Sequence, residues 1–305
     1  MENLTLYLLP SLSAVAIKLT IFWYGRRSLS LETMWIWIFF SCLFMVNSIE
    51  LISFLFANVK DPTINLFFLT LYYLFAVTAS LAYLMVCLKI AGLQNRIITR
   101  IIYALISLGI VILVFPKASL LGVEKIGYST TRIPGKLYWV IQLLLLIPWL
   151  LGPALLIYTA IKKDTWLARR RALSLLVGSL PTAISVTLVI VMMQAGFKIN
   201  ATVIVSFSLN ILLFVMVFTE RQYGLFRFLS NIPSTKENKL FGQIVKVVAD
   251  TEKRNLAFLV SQFEHLLIHE SLVENDGNKN QTAKALGVSR ATLNRKLLSG
   301  AKITC

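Results

Sequence analysis

Residues 277–298 read GNKNQTAKALGVSRATLNRKLL, and this stretch decides the fold of the C-terminal part. Ala283 and Leu286 lie three apart, on one face of a short helix, and Gly287 can take the positive φ that a tight turn needs. Ser289 is a good N-cap for a second helix, which is expected over residues 290–298. The pattern therefore predicts a helix-turn-helix.

The second helix of this motif carries side chains suited to nucleic acid. Leu293 and Leu297, four apart, face the core, which leaves the polar positions available for base edges and phosphates. Residues 277–305 hold six Lys or Arg and no Asp or Glu, whereas residues 219–276 hold seven basic and eight acidic residues. An amphipathic hairpin with a solvated basic face is the alternative, but positive charge confined to the motif favours DNA.

The stretch resembles the C-terminal DNA-binding module of the Fis family, which also ends many bacterial enhancer-binding regulators. Gly277 and Asn278 match the opening of that pattern, and Leu286 with Gly287 matches its turn. Thr282 and Ala291 depart from it but are small, so the packing is preserved. The resemblance implies a homodimer bound to double-stranded DNA, with these residues facing the DNA: Ser289, Arg290, Thr292, Asn294, Arg295 and Lys296.

The rest of the chain is too apolar for a single soluble core. Hydrophobic residues make up 57% of it, charged residues 14%, and the mean hydropathy is +0.75. A helix needs about 20 apolar residues to cross a bilayer. Seven stretches are that long or nearly so, which predicts an all-α protein, a seven-transmembrane helix bundle surrounded by membrane lipid with a small cytoplasmic helix-turn-helix domain: 4–24, 34–56, 64–88, 97–115, 137–161, 173–197 and 202–218.

Basic residues in the connections predict the orientation. With the N-terminus outside, the inner connections hold ten basic residues and the outer ones six, so the positive-inside rule favours this arrangement. The first stretch has no preceding basic region and no following cleavage site, which argues against a cleaved signal peptide. Seven crossings then place the C-terminus in the cytoplasm of a bacterium, with the bundle in the inner membrane.

Polar residues inside the apolar stretches are candidates for signal sensing. Asn47 and Glu50 lie one turn apart in the second stretch, and a carboxyl group there must be neutral, hydrogen-bonded or paired. Signal binding and simple helix bridging are equally open for Glu50. Lys18 is expected to extend toward the lipid headgroups. Four further residues are expected mainly to bridge helices by hydrogen bonds: Gln194, Ser206, Ser208 and Asn210.

A second resemblance lies at the exit of the seventh stretch. Residues 218–228, together with Asn47 to Leu51, resemble the seven-helix membrane module of certain bacterial sensor histidine kinases, and this likeness carries Glu50 over as a candidate. About 85 residues follow the membrane part, with no glycine-rich nucleotide lid, so no enzyme activity is expected. His265 and His269 lack a third metal ligand, and neither a metal nor a cofactor is predicted.

Three prolines within the apolar stretches and one long connection are two further features of the first part. Pro148, Pro153 and Pro181 remove backbone donors within the fifth and sixth stretches, which would kink those helices and open room for a pocket between them. The connection 116–136 is either a ligand lid or, on loop statistics, a solvated connector.

The chain is accordingly divided into three parts. Residues 1–218 form the sensor module, residues 219–238 a juxtamembrane linker, and residues 239–305 a helical dimerisation and DNA-binding domain. The predicted function is a one-component transcription regulator that couples a small-molecule or envelope signal to DNA binding. The alternatives are a transporter with a regulatory tail and a membrane scaffold whose helical tail binds protein.

Overall fold

Apolar runs bounded by turn and loop residues fold as helices along most of the chain. The computed structural model describes residues 2–25, 34–56, 62–115, 118–126, 129–163, 166–197, 201–223, 242, 256–275 and 277–300. The helices of the first part are α1 Glu2–Gly25, α2 Met34–Phe56, α3 Pro62–Ala91, α4 Arg96–Val114, α5 Tyr138–Lys162, α6 Trp166–Gln194 and α7 Ala201–Tyr223. The C-terminal helices are α8 Leu256–Glu274, α9 Lys279–Ala285 and α10 Arg290–Gly300.

The chain divides into two compact units, Met1–Lys236 and Glu237–Cys305. The predicted linker 219–238 lies mostly outside the described residues, as do the predicted apolar positions 240–248. Each unit is considered by itself below.

Five helices within the described residues are long and apolar enough to cross a membrane: α2, α3, α4, α5 and α6. Helices α1 and α7 contain shorter apolar segments, Ser11–Trp23 and Ile204–Thr219, of less than span length. The first unit is therefore compatible with a membrane protein, and the count of seven crossings stays a prediction. Large apolar side chains point outward on these helices, as lipid-facing helices require; Ile97 and Val114 on α4 are both about two-thirds exposed.

Helix α3 lies at the centre of the first unit, packed against α2, α4 and α5. Tyr83 of α3 is fully buried, and its ring stacks on Trp149 of α5 with centroids 4.3 Å apart. The stack fits because the next turn of α5 carries Gly152, where a Cβ atom would lie 2.4 Å from Cε1 of Tyr83. The indole Nε1 of Trp149 donates to Ser80 Oγ at 3.1 Å, which satisfies the polar end of the ring.

Contacts continue from α5 to α6, from α6 to α7, from α7 to α1 and from α1 to α2. These five helices and α3 thus close a ring, and α4 packs on its outside against α3 and α5. The last helix before the tail is therefore held on both sides, by α1 and by α6.

The connection between α4 and α5 corrects the all-α prediction, although the structure remains mostly helical. It forms an antiparallel hairpin of β1 Leu120–Ile126 and β2 Ser129–Pro134, in register from Ile126 opposite Ser129 to Gly122 opposite Ile133, with an irregularity before Leu120 pairs with Pro134. β-Branched residues at positions 123, 126, 130, 131 and 133 favour extended backbone, a local signal that the interpretation as a plain connector missed. The hairpin packs against α3.

Candidate nucleic-acid interface and buried polar cluster

Helix α9 begins at a side-chain cap. Asn278 takes an extended conformation, and its Oδ1 accepts hydrogen bonds from the backbone N–H groups of Asn280 and Gln281 at 3.1 and 3.3 Å. One turn later, the Thr282 hydroxyl donates to the Asn278 carbonyl oxygen at 2.9 Å, and this threonine is completely buried. Thr282 therefore occupies a small-residue position of the motif without leaving its hydroxyl unsatisfied.

Two backbone hydrogen bonds, from N–H groups of the turn to carbonyls of the last helical turn, end α9. Gly287 has a φ of +65°, and its N–H donates to the Lys284 carbonyl at 3.3 Å. The N–H of Val288 donates to the Ala283 carbonyl at 3.0 Å. This pair of bonds is the Schellman arrangement, which satisfies the last carbonyls of a helix and reverses the chain. Val288 then packs on the small core of Ile268, Ala283 and Leu293.

Helix α10 begins at Ser289, whose Oγ accepts the backbone N–H of Thr292 at 3.1 Å. The Ser289 and Thr292 hydroxyls also lie 2.9 Å apart, so both are engaged at the start of the helix. Leu293 is fully buried against Ile268 of α8 and Ala283 of α9, and Leu297 packs on the same core. The predicted helix-turn-helix is thus confirmed, with α8 as the third helix of its core.

The side chains predicted to contact DNA divide into four groups. Arg290 and Arg295 are exposed, whereas Thr292 and Asn294 are half-buried. Ser289 is exposed but serves as the cap of α10. Lys296 turns back toward α8, where its Nζ lies 2.5 Å from Oε2 of Glu264. The structure therefore leaves the two arginines as the accessible cations of α10, and it ties Lys296 to the preceding helix.

The surface around α10 is positively charged. Lys279 and Lys284 on α9 are exposed, and the sequence from 277 to 305 contains no Asp or Glu. Phosphate contacts by such cations position a protein on a duplex, while a helix with an arginine, a threonine and an asparagine can read base edges in the major groove.

A second site is a buried polar cluster in the first unit, here defined as Ser11, Lys18, Asn47, Glu50 and Ser206. All five side chains are at most 3% exposed. Oε2 of Glu50 accepts from Ser11 Oγ at 2.5 Å, from Ser206 Oγ at 3.2 Å and from Asn47 Nδ2 at 3.4 Å. Asn47 Nδ2 also donates to Ser206 Oγ at 2.7 Å. The cluster joins α1, α2 and α7.

Lys18 corrects an expectation from the sequence. It does not extend to the headgroups but is fully buried, with Nζ donating to Oδ1 of Asn47 and attracted by the Glu50 carboxylate. A cation inside an apolar bundle is stable only when paired, so the glutamate explains its position. The available signal was spacing, because Lys18 lies seven residues after Ser11 and thus on the same face of α1.

Bridging by the other intramembrane polar residues was predicted and is confirmed for three of them. Gln194 Nε2 donates to Gln142 Oε1 at 2.6 Å, and Asn210 Nδ2 donates to Ser13 Oγ at 3.2 Å. Ser206 belongs to the buried polar cluster. Ser208 instead donates to the Val205 carbonyl of its own helix.

Comparison with known proteins identifies one segment. Residues 259–298 match the family model described as "Bacterial regulatory protein, Fis family", which covers most of α8, all of α9 and most of α10. This segment is similar to a DNA-binding regulatory module, which supports double-stranded DNA as its partner. No curated protein and no solved structure matches the chain.

Proposed function

We propose that this protein is a membrane-bound one-component transcription regulator, in which a seven-helix sensor module, residues 1–218, controls the DNA binding of residues 239–305. The observation that carries the proposal is the presence, in one chain, of at least five span-length helices and a complete helix-turn-helix with exposed arginines. The N-terminus is outside the inner membrane, and the linker 219–238 passes the signal to the cytoplasmic domain.

In this proposal, α10 enters the major groove and Arg290 with Arg295 supplies the main contacts. Their exposure and the absence of acidic residues from 277 to 305 support these roles. Thr292 and Asn294 are the candidates for base contacts, and Ser289 orients the start of the helix through its cap. Lys296 contributes less, because its ammonium group is already paired with Glu264.

A homodimer is part of the proposal because one short helix gives little sequence discrimination, while two copies double the contacts. Helix α8 offers an apolar surface for the second copy: Val260 and Leu267, seven residues apart, are 46% and 56% exposed. Residues at this spacing lie on one face of a helix, and exposed apolar side chains grouped on one face favour an interface.

Asn47 and Glu50 belong to the proposed signal pathway, because the buried polar cluster joins α7, the last helix before the tail, to α1 and α2. A signal that binds one arrangement of these helices better than another shifts the population of that arrangement. The position of α7 then changes the geometry or the availability of the two DNA-binding domains.

The proposal is tested with the full chain in lipid nanodiscs and genomic DNA fragments. We expect binding that weakens steeply between 50 and 200 mM salt, as it does for about six or more phosphate contacts. Arg290→Ala with Arg295→Ala should abolish it, whereas the matched double variant Lys162→Ala with Lys163→Ala, two exposed cations of the first unit, should bind as the parent does. Equal binding by both double variants would refute the assignment of α10.

A further inference from the structure

A cavity of about 100 Å³ lies inside the first unit, between α2, α3, α5, α6 and α7. Helices α5 and α6, which carry the three prolines, form part of its wall, where the sequence predicted a pocket. An apolar cavity of about 150 Å³ holds a benzene ring, so this smaller one has room for a chain of a few carbons or for part of an aromatic ring. Its wall is mostly aliphatic and aromatic.

The polar groups of the cavity wall are largely engaged with one another. The hydroxyl groups of Tyr73 and Tyr138 lie 3.0 Å apart. Ser80 donates to the Ala76 carbonyl at 2.9 Å and accepts from Trp149 at 3.1 Å. These pairs fix the shape of the wall, and they leave the interior suited to an apolar group.

One cation lies against this wall, at the end that holds the hairpin. Arg132 of β2 places its guanidinium carbon 4.5 Å from the centroid of the Tyr138 ring, and its Nη1 lies 2.9 Å from Sδ of Met193. Tyr138 and Met193 both line the cavity. Arg132 Nε is buried and makes no hydrogen bond within the described part of the chain. A guanidinium has five N–H donors in a planar fork, so several remain for an anion.

We propose that this cavity is the ligand site of the first unit and that its ligand is a small amphipathic anion. The ligand places an aryl or short alkyl group in the cavity and a carboxylate or another anionic head against the Arg132 guanidinium. The fork of donors matches the two oxygens of a carboxylate, and burial strengthens the attraction. A free metabolite and an anionic lipid both offer this chemistry.

The position of the site links it to the buried polar cluster. Val46 of α2 and Val205 of α7 line the cavity, while the next residue of each helix, Asn47 and Ser206, belongs to the cluster. An occupant that presses on α2 and α7 therefore alters the hydrogen bonds of Glu50. The inference depends on the proposed function only in calling this ligand the signal.

The test is binding of benzoate to the full chain in phosphatidylcholine nanodiscs, measured by equilibrium dialysis against empty nanodiscs. We expect saturable binding that Arg132→Gln weakens at least tenfold and that Arg132→Lys weakens less. The matched variant Lys136→Gln removes an exposed cation that follows the hairpin and should bind benzoate as the parent does. Benzyl alcohol, which lacks the charge, should bind the parent and Arg132→Gln equally.

Filling the cavity gives an independent variant. Ala76→Leu places a larger side chain at the wall and should weaken benzoate and benzyl alcohol alike, with an unchanged elution volume as the check on folding. Loss of benzoate binding when phosphatidylglycerol replaces phosphatidylcholine would identify an anionic lipid as the source of the ligand. The inference is overturned by benzoate binding that is not saturable, or that responds equally to Arg132→Gln and Lys136→Gln.

The two proposals fail separately in this design. Benzoate binding that depends on Arg132, together with no affinity of the full chain for any duplex, would remove the transcription regulator and keep the ligand site. DNA binding that requires Arg290 and Arg295, with no saturable benzoate site, would do the opposite. If both proposals hold, benzoate should change the affinity of the parent protein for DNA and should leave that of Arg132→Gln unchanged.

Discussion

At the residue scale, Lys18 has the most demanding environment of the described side chains. Its ammonium group is fully buried and depends on Asn47 and Glu50 for compensation. Glu50 attracts this ammonium group without a direct salt bridge, and removing one of two opposite charges inside a protein costs up to roughly 3 to 5 kcal/mol, because the remaining charge is left uncompensated. We therefore expect Lys18→Met to lower the thermal unfolding midpoint of the detergent-solubilised protein strongly.

The double variant Lys18→Met with Glu50→Gln provides the control for this prediction. It removes both charges, so it should recover most of the lost stability. A double variant no more stable than Lys18→Met alone would show that packing of the lysine, not its charge, holds α1 in place.

Gly287 has a structural role that follows from its backbone conformation, a φ of +65°. A Cβ atom there would meet nothing within 4 Å, so the cost of Gly287→Ala is backbone strain, about 1 to 2 kcal/mol. Gly287→Asn should cost less, since asparagine tolerates this region. Hydrogen exchange of the amides in residues 259–298 should rise more for alanine than for asparagine; the reverse order would contradict the strain argument.

At the element scale, α3 and α5 are held together where an aromatic ring lies over a glycine. Gly152→Ala places a Cβ atom 2.4 Å from the Tyr83 ring, which must then leave its position on Trp149. Overpacking of this kind costs about 1 to 3 kcal/mol. We expect a lower unfolding midpoint, partly restored by adding Tyr83→Leu. Lack of any restoration would indicate that the strain lies elsewhere in α5.

Helix α8 carries the proposed dimer surface, and its two faces allow a matched comparison. Leu267→Glu places a charge on the apolar face, whereas His269→Glu places the same charge on an exposed position about 200° around the helix. We expect Leu267→Glu to convert dimers to monomers in analytical ultracentrifugation and His269→Glu to leave them intact. Identical behaviour of the two variants would exclude this face as the interface.

The local chemistry of the C-terminal motif could be predicted because it is contained in about twenty consecutive residues. Asn278, Gly287 and Ser289 act through neighbours at most five positions away, so their roles follow from spacing. The pairing of Lys296 with Glu264, 32 positions earlier, depends on how α10 packs on α8 and was not predictable. In the first unit too, the ends of the helices follow from nearby residues, whereas the contacts between helices do not.

For the first unit, hydropathy located the helices but not the partners of their polar residues. All of α2, Met34–Phe56, was predicted to the residue, because its ends coincide with the ends of an apolar run. The burial of Lys18 depends on Glu50, 32 positions away, and the placement of Arg132 depends on how the hairpin packs against distant helices. The sequence alone therefore does not reveal which charged and polar residues, far apart along the chain, lie together in the structure.

At the scale of the whole molecule, the proposal requires the two ends of the chain to lie on opposite sides of the membrane. A green fluorescent protein fused after Cys305 should fluoresce, and alkaline phosphatase fused at the same position should be inactive, because that enzyme needs the oxidising periplasm. A short epitope placed before Met1 should be accessible on spheroplasts. Active phosphatase at the C-terminus would refute the orientation and, with it, access to DNA.

The core described for the C-terminal helices is small: Ile268, Ala283 and Leu293 are buried, with four partly buried neighbours. Within the described residues, α8, α9 and α10 therefore gain only a small free energy of folding from one another, whereas the helices of the first unit share an extensive core. We expect modest warming to separate α8, α9 and α10 while the apolar helices remain packed. In the proposed regulator, gene control would then cease at a lower temperature than ligand recognition, and it would return on cooling.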